Sequence, residues 1–171
     1  MIYIVECDFT DAARESDWNI WYSAHLKDLL AIPGFLTAQR FKVLGAGAPT
    51  YRAIYGVESL EVYTSPAYLG RRLGRFPEEW RDSITSWKRN LFSGLTRSPA
   101  VALNECLVLS TAVVPPAGVS FDTLTIAGLD RSIPEIRMGV VPESLGRHIA
   151  QQEFPGVTVL QPLTSYQVST D

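Results

Sequence analysis

The chain has 171 residues, of which 46% are hydrophobic and 19% charged, so it can build an ordinary packed core and is not a disordered chain. Its formal net charge of -3 argues against nucleic acid and anionic membranes as partners, because both attract basic surfaces. No apolar run approaches the roughly 20 residues that a membrane span requires. The first residues, MIYIVECDF, lack the basic region and cleavage site of a signal peptide. We therefore expect a cytoplasmic protein that binds neither nucleic acid nor membrane.

The first half of the chain begins with a strand and a long helix. Residues 2–9 (IYIVECDF) are rich in β-branched and aromatic side chains, which is typical of a strand. In the next segment, DWNIWYSAHLKDLLAIPGF, apolar and aromatic residues recur at helical spacing and share one face. They are Trp18, Trp21, Tyr22, His25 and Leu29. Pro33 and Gly34 end this helix, because proline cannot continue it and glycine permits a turn.

The elements that follow predict a hairpin, a second helix and a further strand. Strands are expected at 35–44 and 51–63, joined by the loop GAGAPT. These glycines do not form a phosphate loop, because no helix follows them. The spacing of Trp80, Ile84, Trp87 and Leu91 predicts a helix over 78–92, and CLVLSTAVV predicts a strand over 106–114.

Residues 1–114 thus follow the order β-α-β-β-α-β, which is that of the ferredoxin-like α+β unit with a four-stranded antiparallel sheet. Such a unit leaves one sheet face bare, so a second sheet must cover it. Residues 115–171 carry weaker strand and helix patterns. Within them, residues 148–161 parallel residues 25–39, since both have histidine, a short helical stretch, Pro-Gly and a strand. We interpret this part as a degenerate second half-repeat that packs on the first.

The helix WNIWYSAHLKDLL, the turn IPGF and the strand AQRF, in this element order, resemble the dimeric α+β barrel superfamily and in particular its EthD-like small proteins. The resemblance implies sheets paired between subunits or repeats, and a pocket between sheet and helices. Members of the superfamily include cofactor-free monooxygenases and decarboxylases of aromatic polyketides, lactone isomerases, haem-degrading enzymes and proteins without known activity. The fold therefore leaves the function open.

Three residues are the candidate catalytic groups. His25 lies at the centre of the aromatic helix face and could act as a general base, since imidazole titrates near neutral pH. Tyr22 could donate a hydrogen bond to an oxyanion, and Arg40, on the strand after the helix, could hold a carboxylate or phenolate. The alternatives are a core histidine bonded to a backbone carbonyl and a surface ion pair of Arg40 with Glu58 or Glu61.

The candidate substrate-binding residues are Trp18, Trp21 and Tyr55, whose rings could form the apolar walls of a pocket. Ordinary core and cross-strand packing is the alternative for Tyr55. We expect Glu6 and Asp8 to be solvated, His148 to be exposed and the basic stretch 71–75 to be a solvated loop. The two cysteines, Cys7 and Cys106, are expected to be buried and reduced, with a disulfide as the weaker alternative.

These residues favour a cofactor-independent enzyme that acts on a small aromatic or cyclic carbonyl compound, as a lyase, isomerase or oxygenase. The reaction would begin with proton abstraction by His25, and Tyr22 and Arg40 would stabilise the oxyanion. We expect no metal, because histidine and cysteine are too few and too scattered for a zinc site. The alternatives are a non-catalytic small-molecule-binding or accessory module and a haem-handling monooxygenase with a histidine ligand. A homodimer is expected unless the tail itself supplies the second sheet.

Overall fold

The computed structural model describes residues 1–45, 47, 49–71 and 76–170, and within them it is an α+β structure of nine strands and four α-helices. The strands are β1 Ile2–Phe9, β2 Phe35–Val43, β3 Tyr51–Val57, β4 Ile84–Ser93, β5 Glu105–Ser110, β6 Asp122–Leu129, β7 Glu135–Pro142, β8 Val157–Pro162 and β9 Gln167–Val168. The helices are α1 Glu15–Leu30, α2 Pro66–Gly70, α3 Glu78–Arg81 and α4 Glu143–Gln151.

Eight of these strands close into an antiparallel barrel. Their order is β3-β1-β4-β6-β7-β5-β8-β2, and a further pairing of β2 with β3 joins the two ends of the sheet. The short strand β9 pairs with β2 beside this barrel. Closure leaves no unpaired edge around the barrel. The strands β5–β8 of the same chain therefore cover the sheet formed by β1–β4. The tail after residue 114 supplies three of these four strands, and a dimer is not needed to cover the sheet face.

The strand alternation sorts the apolar side chains into three cores, because successive residues of a strand point to opposite faces. The first lies between α1 and the outer face of β1, β2 and β3. The second fills the barrel interior, and includes Ile4, Phe41 and Leu107. The third lies between α4 and the outer face of β5 and β8, where Cys106 packs near Gly146.

The first sequence elements are confirmed. Helix α1 ends at Leu30, just before Pro33, and Gly34 adopts a φ of +94° that glycine tolerates. The hairpin of β2 and β3 forms as expected, although Ala46 and Ala48 of its loop lie outside the described residues. Both cysteines are buried and free, as expected from their β-like surroundings.

The predicted helix over 78–92 is wrong. Only Glu78–Arg81 is helical, and Ile84–Ser93 forms β4, which pairs with β1 and β6. The buried residues Leu91 and Phe92 are consecutive because β4 lies between two cores: Leu91 faces the helices and Phe92 faces the barrel interior. A central strand with two buried faces produces a run of apolar residues rather than strict alternation. The strand predicted at 106–114 exists as Glu105–Ser110, but it pairs with β7 and β8 rather than with β1.

One end of the barrel is closed by the segment between β4 and β5. The Gln39 side-chain nitrogen donates to the Val101 carbonyl oxygen at 2.7 Å, and the hydroxyls of Thr37 and Ser98 lie 2.9 Å apart. The Tyr166 hydroxyl also donates to the Ser98 carbonyl oxygen, at 2.7 Å. These bonds satisfy the polar groups that the barrel buries at this end. Among the described helices, none combines the length and the apolar character of a membrane span.

Candidate functional site: a caged arginine beneath the first helix

Helix α1 covers the outer face of the sheet with aromatic side chains. Trp18 and Tyr22 are buried against the sheet, at one-turn spacing on the same helix face. Below them, Tyr51 and Tyr55 point to the same side of β3, because two and four residues along a strand share a face. Arg40 on β2 enters this aromatic layer from the sheet and is only 1% exposed.

The Arg40 guanidinium lies inside a cage of three aromatic rings. Its Cζ is 4.4 Å from the ring centroid of Trp18, 4.4 Å from that of Tyr22 and 4.8 Å from that of Tyr51. Aromatic faces are negative, so these contacts attract the cation. The three rings also remove it from water. Arg40 thus carries a charge in a place that solvent does not reach.

Hydrogen bonding satisfies only part of this guanidinium. Nη1 donates to Oδ1 of Asn19 at 2.6 Å, while Nε and Nη2 are buried and have no hydrogen-bond partner among the described residues. No described carboxylate forms an ion pair with Arg40. A buried cation is normally paired, and each buried donor without a partner has a desolvation cost. The expected alternative, a surface ion pair with Glu58 or Glu61, is therefore not formed.

The Tyr22 hydroxyl and the Cys7 thiol beside Arg40 remain protonated near neutral pH. Burial raises the pKa of Tyr22 well above its usual value, and it raises the pKa of Cys7 to about 12. Burial also lowers the pKa of Arg40 itself, yet arginine stays protonated in proteins. The site therefore holds a positive charge surrounded by neutral hydroxyl and thiol groups.

The carboxylate of Glu15, at the start of α1, is engaged elsewhere. It accepts hydrogen bonds from the Lys42 ammonium, at 2.8 Å, and from the Tyr51 hydroxyl. Lys42 and Arg40 both lie on β2, at the same side of the sheet. Glu15 thus balances Lys42 and leaves the charge of Arg40 uncompensated by an ion pair.

His25 is half-buried beside the cage. Its imidazole stacks on Trp21 at a centroid distance of 4.8 Å and meets the edge of Tyr22 at 5.6 Å. Neither ring nitrogen has a hydrogen-bond partner among the described residues, so the expected alternative of a backbone-bonded core histidine is not formed. Burial lowers the pKa of His25 to about 4, while Asp28 acts in the opposite direction. The imidazole is therefore neutral near pH 7, with its nitrogens available.

The three predicted wall residues differ in their surroundings. Trp18 is fully buried, with Phe9 stacked on it at 4.4 Å and Arg40 over its ring. Trp21 is half-buried and stacks on His25 rather than on Trp18. Tyr55 is fully buried and stacks on Tyr3 at 5.4 Å. Among the described residues its hydroxyl has no partner within ordinary hydrogen-bond distance, although its interaction with the Tyr22 hydroxyl contributes to the pKa of both groups.

The remaining sequence candidates lie away from the cage. Glu6 is not solvated as expected, since its carboxylate is buried in the barrel and forms an ion pair with Arg52 at 3.0 Å. Asp8 accepts hydrogen bonds from the backbone N–H and the hydroxyl of Thr50, at 2.7 Å and 2.8 Å. His148 is exposed, as expected. The basic stretch 71–75 lies outside the described residues except for its first position. No three described histidine, cysteine or acidic side chains come together as a metal site.

Two cage residues were missed at the sequence level. Tyr51 follows from the alternation of β3, because it lies on the same face as Tyr55. Asn19 precedes Tyr22 by three residues, a spacing that brings two residues onto neighbouring positions of a helix surface. Asn19 is polar and does not belong to the aromatic face of α1, so the helical spacing of aromatic residues did not identify it.

No protein-family profile and no curated protein sequence matches this chain. Solved structures share its fold across almost the whole length. An anthrone oxidase-like protein superposes with a TM-score of 0.59 at 10% identity, covering 99% of this chain and 94% of the other. A proposed monooxygenase from Lactobacillus acidophilus gives 0.53 at 10% identity, covering 98% and 96%. Another from Fusobacterium nucleatum gives 0.53 at 10% identity, covering 99% and 96%.

Proposed function

We propose that this protein is an oxygenase that acts on a small aromatic compound and binds its substrate as a phenolate or enolate anion on Arg40. The observation that carries the proposal is the buried guanidinium, which has two unpartnered nitrogens and forms no ion pair with any described carboxylate. Nε and Nη2 can together donate to one oxyanion in the forked geometry that arginine offers. The similarity in fold to an anthrone oxidase-like protein and to proposed monooxygenases supports the reaction class.

The aromatic cage suits an aromatic anion better than a hydrated inorganic one. Trp18, Tyr22 and Tyr51 exclude water and strengthen electrostatic attraction to the guanidinium. Asn19 is partly exposed and accepts the one hydrogen bond that the Arg40 guanidinium forms with the described residues. We infer that the substrate approaches past Asn19 and that its oxyanion binds Nε and Nη2, beside the amide oxygen that already accepts from Nη1.

A substrate anion can react with dioxygen without help from a bound group, because the electron-rich carbon framework is itself the reductant. For an anthrone, one molecule of dioxygen breaks two C–H bonds at the central carbon, forms one C=O bond and releases one water. The contribution of the protein is to favour the anion, which Arg40 does by charge. The proposal therefore needs no cofactor.

His25 is the proposed base and Tyr22 the proposed second donor to the oxyanion. The unpartnered imidazole nitrogens of His25 can accept a proton, and its edge contact with Tyr22 places it beside the ring that covers Arg40. A pKa of about 4 makes His25 a weak base when the site is empty. An anion on Arg40 would favour the protonated imidazole by charge attraction, so substrate binding and base strength would rise together. Trp21 and Tyr55 are the proposed walls.

The proposal is tested by dioxygen uptake with anthrone and 1,8-dihydroxyanthrone, corrected for their oxidation without protein. We expect saturable uptake of one dioxygen per substrate and formation of the corresponding anthraquinone. Arg40→Met should lower kcat/KM by about 100-fold, because one buried charged donor to an oxyanion contributes roughly this much. The exposed variant Arg147→Met is the matched control and should behave as the unchanged protein. Uptake that is equal with and without protein would contradict the proposal.

A non-catalytic binding module of the same fold remains the second candidate, because the caged arginine would bind an aromatic anion equally well without turnover. The two differ in His25→Gln. An oxygenase loses turnover and keeps anion binding, whereas a binding module has no turnover to lose. Lyase and isomerase outcomes begin with the same proton removal, and they are distinguished by product formation without dioxygen.

The haem-handling alternative fits the described residues less well. Histidines that ligate metals almost always donate their other ring N–H to a carboxylate, carbonyl or water, which orients the ring. His25 has no such protein partner among the described residues and is instead held by stacking on Trp21. Addition of haemin with measurement of Soret absorbance tests this alternative.

The barrel halves support a proposed common plan. The first half has the sheet order β4-β1-β3-β2 and the second has β8-β5-β7-β6, which is the same permutation of four strands. The order β1-α1-β2-β3-α2-α3-β4 matches a ferredoxin-like unit. In this comparison the halves divide between β4 and β5, rather than at residue 114, and α4 corresponds to α2 and α3. The second half-repeat would then lack a counterpart of α1.

The closer likeness to EthD-like proteins stays a prediction from the α1 motif.

A further inference from the structure

The open end of the barrel contains a cavity, separate from the Arg40 cage. Its volume is about 130 Å³, and it lies at the end opposite the segment that bonds Gln39 and Thr37. Glu6, Arg52 and Asn90 form its polar part, while Phe92, Leu109 and Ile136 are among its apolar walls. These side chains point into the barrel, so the sheet itself separates them from the helix-covered face.

The polar part is a buried ion pair with unused hydrogen-bonding capacity. Glu6 and Arg52 are directly opposite each other on β1 and β3, and Oε2 of Glu6 lies 3.0 Å from Nε of Arg52. Nη1 of Arg52 donates to the backbone carbonyl oxygens of Pro49 and Tyr51, but Nη2 forms no hydrogen bond with the described residues. Apart from its ion pair with Arg52, the Glu6 carboxylate has no hydrogen-bond partner among the described residues. An acceptor and a donor thus lie side by side at the cavity wall.

The neighbouring Asn90 does not use this capacity. Its Nδ2 donates to the Ser132 hydroxyl at 2.8 Å, and its Oδ1 accepts from the Ser132 backbone N–H at 2.9 Å. Buried ion pairs contribute little net stability compared with well-packed apolar residues, so stability alone does not explain an ion pair at the wall of a cavity. A ligand that completes the hydrogen bonds of Glu6 and Arg52 would explain it.

We propose that this barrel-end cavity binds a small neutral molecule whose head group carries an N–H donor beside a C=O acceptor, as in a primary carboxamide. The amide N–H would donate to Glu6, and the amide oxygen would accept from Arg52, since carboxylates only accept and guanidinium groups only donate. A charged ligand is disfavoured, because it would meet one like charge as well as one opposite charge. The apolar walls would take a short hydrocarbon chain, given that a cavity of roughly 150 Å³ holds benzene.

The test is a titration of ¹⁵N-labelled protein with n-butyramide, butyrate and n-butylammonium, followed by NMR at Asn90, Leu109 and Thr158. We expect saturable shifts with butyramide and binding at least about tenfold weaker for both charged probes. Thr158→Phe should abolish these shifts, because Thr158 faces the cavity and phenylalanine fills it. Thr125→Phe, an equal change at an exposed strand position, should leave them unchanged.

A second variant tests the chemistry of recognition. Glu6→Gln keeps the shape of the side chain and leaves the charge of Arg52 unbalanced, so the preference should change from butyramide to butyrate. No saturable binding of any probe, which would mean that the cavity holds only water, would overturn the proposal. Equal binding of all three probes, butyramide binding that persists in Thr158→Phe, or an unchanged preference in a folded Glu6→Gln protein would also overturn it.

Discussion

Arg40 and Arg52 lie on neighbouring paired strands, point to opposite faces of the same sheet and are both buried, but among the described residues only Arg52 forms an ion pair with a carboxylate. In the register of β2 and β3, Arg40 pairs with Ala53 and Phe41 pairs with Arg52, so the two arginines are diagonal neighbours. Arg52 forms an ion pair with Glu6 inside the barrel. Arg40 has three aromatic rings and one amide instead. These two neighbouring arginines thus differ in role, because the charge of Arg52 is paired with a carboxylate and that of Arg40 is surrounded by aromatic rings.

This contrast predicts different stabilities for two matched substitutions. Arg52→Met leaves Glu6 buried without a partner, and we expect the free energy of unfolding to fall by about 3–5 kcal/mol. Arg40→Met removes a buried charge that has no ion-pair partner among the described residues, which stabilises the fold, and it also removes the cation–ring contacts, which destabilises it. These two effects largely offset each other. We therefore expect a change of no more than about 1 kcal/mol. Urea unfolding at neutral pH measures both values. If Arg40→Met is as destabilising as Arg52→Met, Arg40 is a structural residue and the anion-site interpretation fails.

His25 predicts a specific pH dependence of stability. Its pKa is about 4 in the folded protein and roughly 6.5 in an unfolded chain, so the fold prefers the neutral ring. Its contribution is complete above pH 6.5 and is lost as the pH falls through 4, because the unfolded state binds the proton first. The loss amounts to at most about 3 kcal/mol. The difference in unfolding free energy between the protein and His25→Gln, measured from pH 7.5 to 4, isolates this effect from the carboxylates. A difference that does not vary with pH would contradict a lowered pKa.

The packing of α4 on the barrel depends on one glycine. A Cβ added at Gly146 would lie 2.5 Å from the Cβ and 2.6 Å from the Sγ of Cys106, closer than atoms can approach. Gly146→Ala should therefore lower the free energy of unfolding by about 1–3 kcal/mol through overpacking. Gly70→Ala is the matched control, since a Cβ at Gly70 meets no atom of the described residues within 4 Å, and it should cause no loss. Thermal unfolding of both variants checks the prediction, and equal melting temperatures would show that α4 does not pack as described.

Closure of the barrel within one chain predicts the assembly state. The homodimer expected from the sequence rested on a bare sheet face, and the second half of the chain covers that face. We therefore expect a monomer of 18.9 kDa in light scattering after gel filtration. A particle of twice this mass would show that a surface other than the sheet face drives association, and the dimer would then need a different explanation.

The sequence predicted the elements whose periodicity reports a single buried face. Helix α1 was visible because Trp18, Tyr22 and Leu29 return at helical spacing on one face. Strand β4 was not, because it is buried on both faces only at Asn90, Leu91 and Phe92, and its apolar positions Ile84, Trp87 and Leu91 also fit a helical spacing. The ion pair of Glu6 could not be anticipated either, since the register of β1 against β3 decides which residue lies opposite Glu6.

The same distinction applies to the candidate site. His25, Tyr22 and Trp18 were selected by their common helix face. In the structure Trp18 and Tyr22 contact Arg40 directly, and His25 contacts Tyr22. The missing counter-ion of Arg40 was not predictable, because it depends on Glu15 being held by Lys42 and Tyr51. Residue types indicate which groups can do chemistry, but only the three-dimensional arrangement shows which charge remains unbalanced.

The most direct measurement is the pKa of a phenol bound at the caged arginine. 4-Nitrophenol changes its absorbance on ionisation, so its pKa can be followed when bound to the protein and to Arg40→Met. A guanidinium that receives the phenolate should lower the pKa of the bound phenol by at least about one unit relative to water, because each unit corresponds to about 1.4 kcal/mol of preference for the anion. Arg40→Met should abolish this lowering. A bound phenol whose pKa is unchanged or raised, or is lowered equally in both proteins, would contradict the assignment of Arg40 as the anion-binding residue.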